Sequence, residues 1–123
     1  MARKKILLVD DSSTVLMMEK MLLAGCGYDI VVARDGEEGV AKAQSELPDL
    51  ILLDLIMPKM DGVEACRRIR ADAKTSAIPI IMVTTRSEAD SVERSYVTGC
   101  NDYVHKPINN SELLAKVRSF LEA

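Results

Sequence analysis

The sequence predicts an α/β domain: a five-stranded parallel sheet in the order 2-1-3-4-5, with helices on both faces. Three observations carry this. Short, uninterrupted apolar runs at 6–9, 50–53 and 79–83 read as strands buried on both faces, the mark of a parallel sheet. Segments with apolar residues at helical spacing lie between the strands. Glycine and proline punctuate the joints, at Gly25, Gly27, Pro48, Gly62, Gly99 and Pro107.

The elements follow in order. Arg3, Lys4 and Lys5 precede the first strand, 6–9, which runs into Asp10-Asp11. Ser12, Ser13 or Thr14 caps the next helix, which extends to about Ala24, where Gly25 and Gly27 stop it. Its inward stripe is expected at Val15, Met18 and Leu22, with Leu16, Met17 and Met21 widening the apolar surface. Residues 28–33 are rich in β-branched side chains and form the second strand. Gly36 opens a second helix with Val40 and Ala43 inward and Glu37, Glu38 and Lys42 outward, and Pro48 ends it. The third strand, 50–53, surfaces at Asp54, and Pro58 and Asp61-Gly62 mark a loop that turns back. Gly62 begins a third helix, with Val63, Cys66 and Ile69 inward and Arg67, Arg68 and Arg70 on the wet side. The fourth strand, 79–83, ends in Thr84-Thr85, and a polar helix at 87–98 follows. A short fifth strand, 102–105, ends in Lys106-Pro107. Asn109 or Asn110 caps a last helix whose apolar side is Leu113, Leu114, Val117, Phe120 and Leu121.

The second and fifth strands are the least purely apolar, which suits the sheet edges and gives the order 2-1-3-4-5. Right-handed crossovers then place the first and last helices on one face and the other three on the opposite face. The winding reverses between strands 1 and 3, and the crevice there is the expected binding site. Asp10, Asp11 and Asp54 converge on it, with Thr84 and Lys106 arriving from strands 4 and 5. Crowded carboxylates repel one another and favour protonation; a divalent cation or an ammonium relieves this. An oxygen-only donor set suits Mg²⁺. Lys106 supplies a mobile point charge. An ionised Asp54 beside both is a nucleophile toward phosphorus, and the Thr84 hydroxyl can donate to a phosphoryl oxygen. Taken singly, each residue has a plain structural role as a cap, a turn, a strand end or a surface lysine. Their arrival at one sheet edge singles them out.

Length and composition fit one globular domain over residues 1–123, with 48% of residues hydrophobic and 28% charged. The net charge of −3 gives no basic footprint for nucleic acid, and 3% aromatics leave few platforms for stacking bases. No apolar run has membrane-spanning length and no signal peptide is visible, so the expected location is the cytoplasm. Cys26, Cys66 and Cys100 are odd in number and far apart, which favours reduced thiols over a metal or disulfide role.

Asp10-Asp11-Ser12, Asp54 with Met57-Pro58 and Met60-Asp61-Gly62, Thr84, and Tyr103 with Lys106-Pro107 together resemble the receiver domain of bacterial response regulators, chemotaxis-regulator type. The resemblance spans the chain from Lys4 to the last helix. That family is itself an instance of the flavodoxin-like 2-1-3-4-5 order, so the two expectations share one source. The resemblance implies that Asp54 accepts a phosphoryl group from a phosphohistidine on a sensor histidine kinase or phosphotransfer protein. It implies that Asp11, Asp54 and the main-chain carbonyl of Ile56 hold Mg²⁺, with Asp10 supporting it through water. It implies that Lys106 pairs with the phosphoryl group and that Thr84 and Tyr103 move together on activation. The change would be read by a downstream protein on the face formed by the 87–98 helix, the fifth strand and the last helix. The only activity implied is the domain's own phosphorylation and dephosphorylation. The Lys106–Pro107 bond is expected to be cis.

The chain departs from the family pattern at Thr85, where a small residue is usual, and at Ile108, where an aromatic is frequent. Leu16-Met17-Met18 stands where a basic residue is common. An Asp-nucleophile phosphohydrolase of the haloacid-dehalogenase type would carry a second acid two residues after Asp54; Ile56 stands there and does no acid–base work. A flavin-binding module on the same fold would need a neutral phosphate loop after strand 1, not Asp10-Asp11. The chain begins with Met and stops after the last helix, which favours a stand-alone receiver without an effector domain over one excised from a longer regulator. The apolar first helix is expected to dock the phosphodonor. Ile56 and Arg86 flank the approach of water to Asp54, and neither accepts a proton from it, so a long-lived phosphoryl group is expected.

Overall fold

The computed structural model describes residues 3–85 and 99–122. The elements are β1 (Lys5–Val9), α1 (Ser13–Gly25), β2 (Asp29–Ala33), α2 (Gly36–Glu46), β3 (Leu50–Asp54), α3 (Gly62–Ala71), β4 (Ile80–Thr85), β5 (Asp102–Lys106) and α4 (Asn110–Leu121). The sheet order is 2-1-3-4-5, and every pairing is parallel. The helix expected at 87–98 and Arg86 lie outside the described residues.

Period-two alternation along the strands sorts the core into two layers. Ile6, Leu8, Leu50, Leu52, Ile81, Val83 and Val104 pack with Leu16 and Leu23 of α1 and Leu113, Val117 and Leu121 of α4. Leu7, Val9, Ile51, Leu53, Ile80 and Met82 pack with Ala43 of α2 and Val63, Cys66 and Ile69 of α3. The central strands are therefore continuously apolar over residues 6–9, 50–53 and 80–83, because both of their faces are covered there.

The helix starts follow the sequence. Ser12 Oγ, Asp35 Oδ1, Asp61 Oδ1 and Asn109 Oδ1 each accept a hydrogen bond from the backbone N–H three residues on. α2 ends at Leu47, in a left-handed conformation (φ 46°) ahead of Pro48. The Lys106–Pro107 bond is cis, as expected.

Two sequence expectations need correction. The buried stripe of α1 is Leu16, Glu19 and Leu23, not Val15, Met18 and Leu22. Val15 and Leu22 are half-buried, and Met18 is exposed. A continuous apolar run such as 15–18 does not fix the phase of a helix; the position of the helix over the sheet does. Arg70 does not sit on the wet side of α3. It folds back, donating to the carbonyls of Gly99 (3.0 Å) and Ile78 (2.7 Å) and to Asn101 Oδ1 (2.9 Å). It thereby ties α3 to the chain entering β5.

Gly62 holds the loop after β3 close to the strand end. Its N–H donates to the carbonyl of Leu55 at 2.7 Å. A Cβ here would lie 2.5 Å from the carbonyl oxygen of Asp54 and 2.9 Å from Cα of Leu55. Both are backbone atoms and cannot swing aside. Gly62→Ala is expected to lower unfolding free energy by about 1–3 kcal/mol, the usual cost of overpacking, measured by urea denaturation. A loss confined to a few tenths would show that the loop shifts freely.

Candidate functional site

The register brings the predicted residues together. Val9 pairs with Leu53, so Asp10 and Asp54 emerge side by side at the ends of β1 and β3. Asp54 pairs with Val83, which puts Thr84 next along β4, and Thr85 pairs with Lys106. By strand alternation Asp10, Asp54 and Lys106 point to the α1 side of the sheet, whereas Thr84 and Tyr103 belong to the other side.

Lys106 Nζ lies 3.2 Å from Asp10 Oδ2 and 3.3 Å from Asp54 Oδ1. Asp10, Asp54 and Thr84 are buried, and Asp11 is exposed at the mouth. One carboxylate oxygen from each of Asp10, Asp11 and Asp54 lies within 4.8 Å of the others. Asp10 Oδ1 accepts from the Ser12 N–H at 2.9 Å, which fixes its side chain at the start of α1. Its Oδ2 is buried without an aligned hydrogen bond and meets Lys106 only as an ionic contact. A buried carboxylate oxygen that must share its lysine with Asp54, within an oxygen-only donor set, fits a hard divalent cation of the Mg²⁺ type.

Ile56 leaves the strand end pointing outward and is 55% exposed, while Leu55, Met57 and Met60 on either side are buried. Tyr103 is half-buried, its ring edge-on to His105 (centroids 5.1 Å apart) and 5.2 Å from Lys116 Nζ. Thr84 pairs with His105, two residues beyond Tyr103.

Glu19 is the site residue that sequence reading missed. It is 3% exposed, on the face of α1 turned toward the sheet. The spacing Leu16, Glu19, Leu23 is the helical signal that could have found it. Burial first, then the charge of Asp10, pushes its carboxyl up to about 8. Burial first, then Asp10, likewise pushes Asp54 up to about 7, with Lys106 pulling the other way. Burial works against the charge on Lys106, but Asp54 and Asp10 outweigh it and hold its pKa above the usual lysine value. The site is short of positive charge.

The family model for the response regulator receiver domain matches residues 6–118. The chain belongs to the response regulator receiver domain family. This receiver domain is 39% identical over 118 residues to the alkaline phosphatase synthesis transcriptional regulatory protein PhoP of Bacillus subtilis, covering 96% of this chain and 48% of PhoP. The domain thus spans about half the length of the curated relatives it matches. Among solved structures, chemotaxis protein CheY4 of Vibrio cholerae superposes with a TM-score of 0.91 at 33% identity, over 97% of this chain and 99% of that one. The receiver domain of sensor histidine kinase PA1611 from Pseudomonas aeruginosa does so with a TM-score of 0.91 at 31% identity, over 99% and 100%. That structure holds a magnesium ion coordinated in its active-site cleft. No helix of the described residues is long and apolar enough to cross a membrane.

The raised carboxyls of this receiver domain have a consequence for stability. Asp54 rises from 3.8 to about 7 and Glu19 from 4.5 to about 8, so both bind a proton more tightly folded than unfolded. Their contribution is therefore complete below the unfolded values and is lost as pH rises through the folded ones. In metal-free buffer, Asp54→Asn is expected to match the wild type in unfolding free energy near pH 4. It then becomes progressively more stable than the wild type up to about pH 8, the window set by the Asp54 shift. Denaturant titrations across that range measure the gap. A gap independent of pH would refute the assignment of strain to the Asp54 charge.

Proposed function

We propose that this domain is a phosphoacceptor in two-component signalling: Asp54 takes a phosphoryl group from a phosphohistidine on a sensor histidine kinase or phosphotransfer protein. The observation that carries this is the buried Asp54 carboxylate held 3.3 Å from Lys106 at the mouth of the acidic crevice. An Asp54 oxygen attacks phosphorus, the bond from phosphorus to the donor imidazole breaks, and the imidazole nitrogen keeps the electron pair and takes a proton from water. Lys106 follows the charge onto the phosphoryl oxygens, and Thr84, which faces the opposite layer before transfer, turns its hydroxyl to one of them as it moves together with Tyr103. Asp11, Asp54 and the Ile56 carbonyl would hold Mg²⁺, with Asp10 supporting it through water. When bound, the ion supplies positive charge against the carboxylates and the phosphoryl oxygens. The domain works in the cytoplasm and has no activity beyond its own phosphorylation and dephosphorylation.

Donor docking falls to α1. Met17, Met18 and Met21 are exposed on it, and Val15 and Met18 line a cavity of about 150 Å³ with Lys106, Pro107 and Ile108. An apolar surface that reaches the lysine of the site suits a donor helix carrying the phosphohistidine. Output is through Thr84 and Tyr103 to a protein bound at β5 and α4.

Incubation with acetyl phosphate and Mg²⁺ is expected to add one phosphate to the wild type and none to Asp54→Asn, read by intact mass. Equal uptake by the variant overturns the assignment. Met17→Glu is expected to slow transfer from a phosphohistidine protein roughly tenfold by removing the docking contact, while acetyl phosphate labelling stays unchanged. Loss of both would mark misfolding rather than docking.

Lifetime follows from Ile56. An apolar side chain half exposed beside Asp54 neither orients nor deprotonates an attacking water. Ile56→Asn is expected to hasten decay of the phosphorylated protein roughly tenfold, below the contribution of a full general base. An unchanged decay rate means that Ile56 does not govern water approach.

A further inference from the structure

Seven methionines are spread along the chain, and the described ones divide into two sets with nothing between. Met57, Met60 and Met82 are at most 6% exposed and belong to the α2–α3 core layer. Met17, Met18 and Met21 are 62%, 55% and 71% exposed, and all three lie on α1. At about 100° per residue, they share an arc of roughly 100° around the helix, with Met21 between the other two. Met18 borders the cavity that reaches Lys106, and Met18 and Met21 border a second surface hollow with Leu22 and Asn110. The thioethers open to solvent are therefore those of the proposed docking face, and the buried ones are those that hold the fold.

We propose that Met17, Met18 and Met21 form a reversible oxidation site, through which peroxide closes the docking face of α1 while the phosphoacceptor site stays competent. The proposal rests on the docking reading given above. The thioether sulfur attacks one peroxide oxygen, the O–O bond breaks and an S–O bond forms. Sulfur loses two electrons, and the second peroxide oxygen leaves as water once protonated. The product is a polar, chiral sulfoxide, which disrupts an apolar methionine contact; methionine sulfoxide reductase returns the thioether with two electrons from thiols. None of the residues at the carboxylates is altered, and Lys106 keeps both of its carboxylate partners. Cys26 is exposed at the end of α1 and could also react, so the tests use Cys26→Ser protein throughout.

The first test is peptide mapping after graded treatment with hydrogen peroxide. Oxygen addition at Met17, Met18 and Met21 is expected on the order of tenfold faster than at Met57, Met60 and Met82, following exposure. Equal rates in the two sets overturn the proposal. The second test is phosphotransfer from a phosphohistidine domain that labels the untreated protein. Treated protein is expected to lose roughly tenfold in transfer rate, the scale of a lost interface anchor, with acetyl phosphate labelling unchanged and reductase restoring transfer. A Met17→Leu, Met18→Leu, Met21→Leu variant has no sulfur on this face, so its transfer rate, referred to its own untreated rate, is expected to be indifferent to peroxide. Persistent peroxide sensitivity in that variant overturns the proposal. If Met17→Glu slows transfer and oxidation does not, docking on α1 stands and the oxidation site falls. If neither slows transfer, the docking reading itself has failed.

Discussion

Two buried carboxylates, Asp10 and Asp54, share one ammonium, and much else in the domain serves to hold them there. Lys106 reaches both at 3.2–3.3 Å, and the exposed Asp11 adds a third negative charge at the mouth. Buried like charges this close cannot all ionise freely, and the raised Asp54 carboxyl shows the cost. Keeping the arrangement requires a frame that does not relax. The frame is the central sheet: β1 and β3 are covered on both faces, so neither strand can slide to separate its terminal acid. Slippage by one residue would expose an entire apolar row, which makes the register as firm as the core itself.

The same alternation divides labour between the two faces. Asp10, Asp54 and Lys106 point toward α1, so the chemistry lies on the side where the exposed methionines stand. Thr84 and Tyr103 point to the opposite layer, with Tyr103 set between His105 and Lys116. Thr84 and His105 stand opposite each other in the β4–β5 pairing, so the crevice and the packing around Tyr103 meet in adjacent strands. Glu19 adds to this picture from below. Its buried carboxyl feels Asp10, Lys106 and Asp54, so the electrostatics of the site extend into α1.

The loop after β3 solves a second problem, that of bringing α3 up against the strand end. Gly62 does it by having no side chain where two backbone atoms pass. Leu55, Met57 and Met60 anchor the loop in the core and leave Ile56 facing out. The helix beyond is then fastened at its other end by Arg70, whose guanidinium satisfies acceptors in the chain on both sides of Cys100.

The sequence by itself determined the strands and brought Asp10, Asp11, Asp54 and Lys106 to one edge, with Thr84 ending the strand between Asp54 and Lys106. These follow from local patterns: apolar runs too short for helices, caps three residues ahead of their partners, and glycine and proline at the joints. Strand ends were legible because a buried strand must surface where its apolar run stops. Tertiary structure decided what local pattern left open. The phase of α1 could not be read from Val15-Leu16-Met17-Met18, because four apolar residues in a row face every side of a helix. Only packing over β1 and β2 chose Leu16 and Leu23 and carried Glu19 inward with them. Arg70 looked like one more exposed arginine, and its acceptors lie 8 to 31 residues away. A charged side chain is buried or exposed according to partners distant in the chain, and no local spacing encodes them.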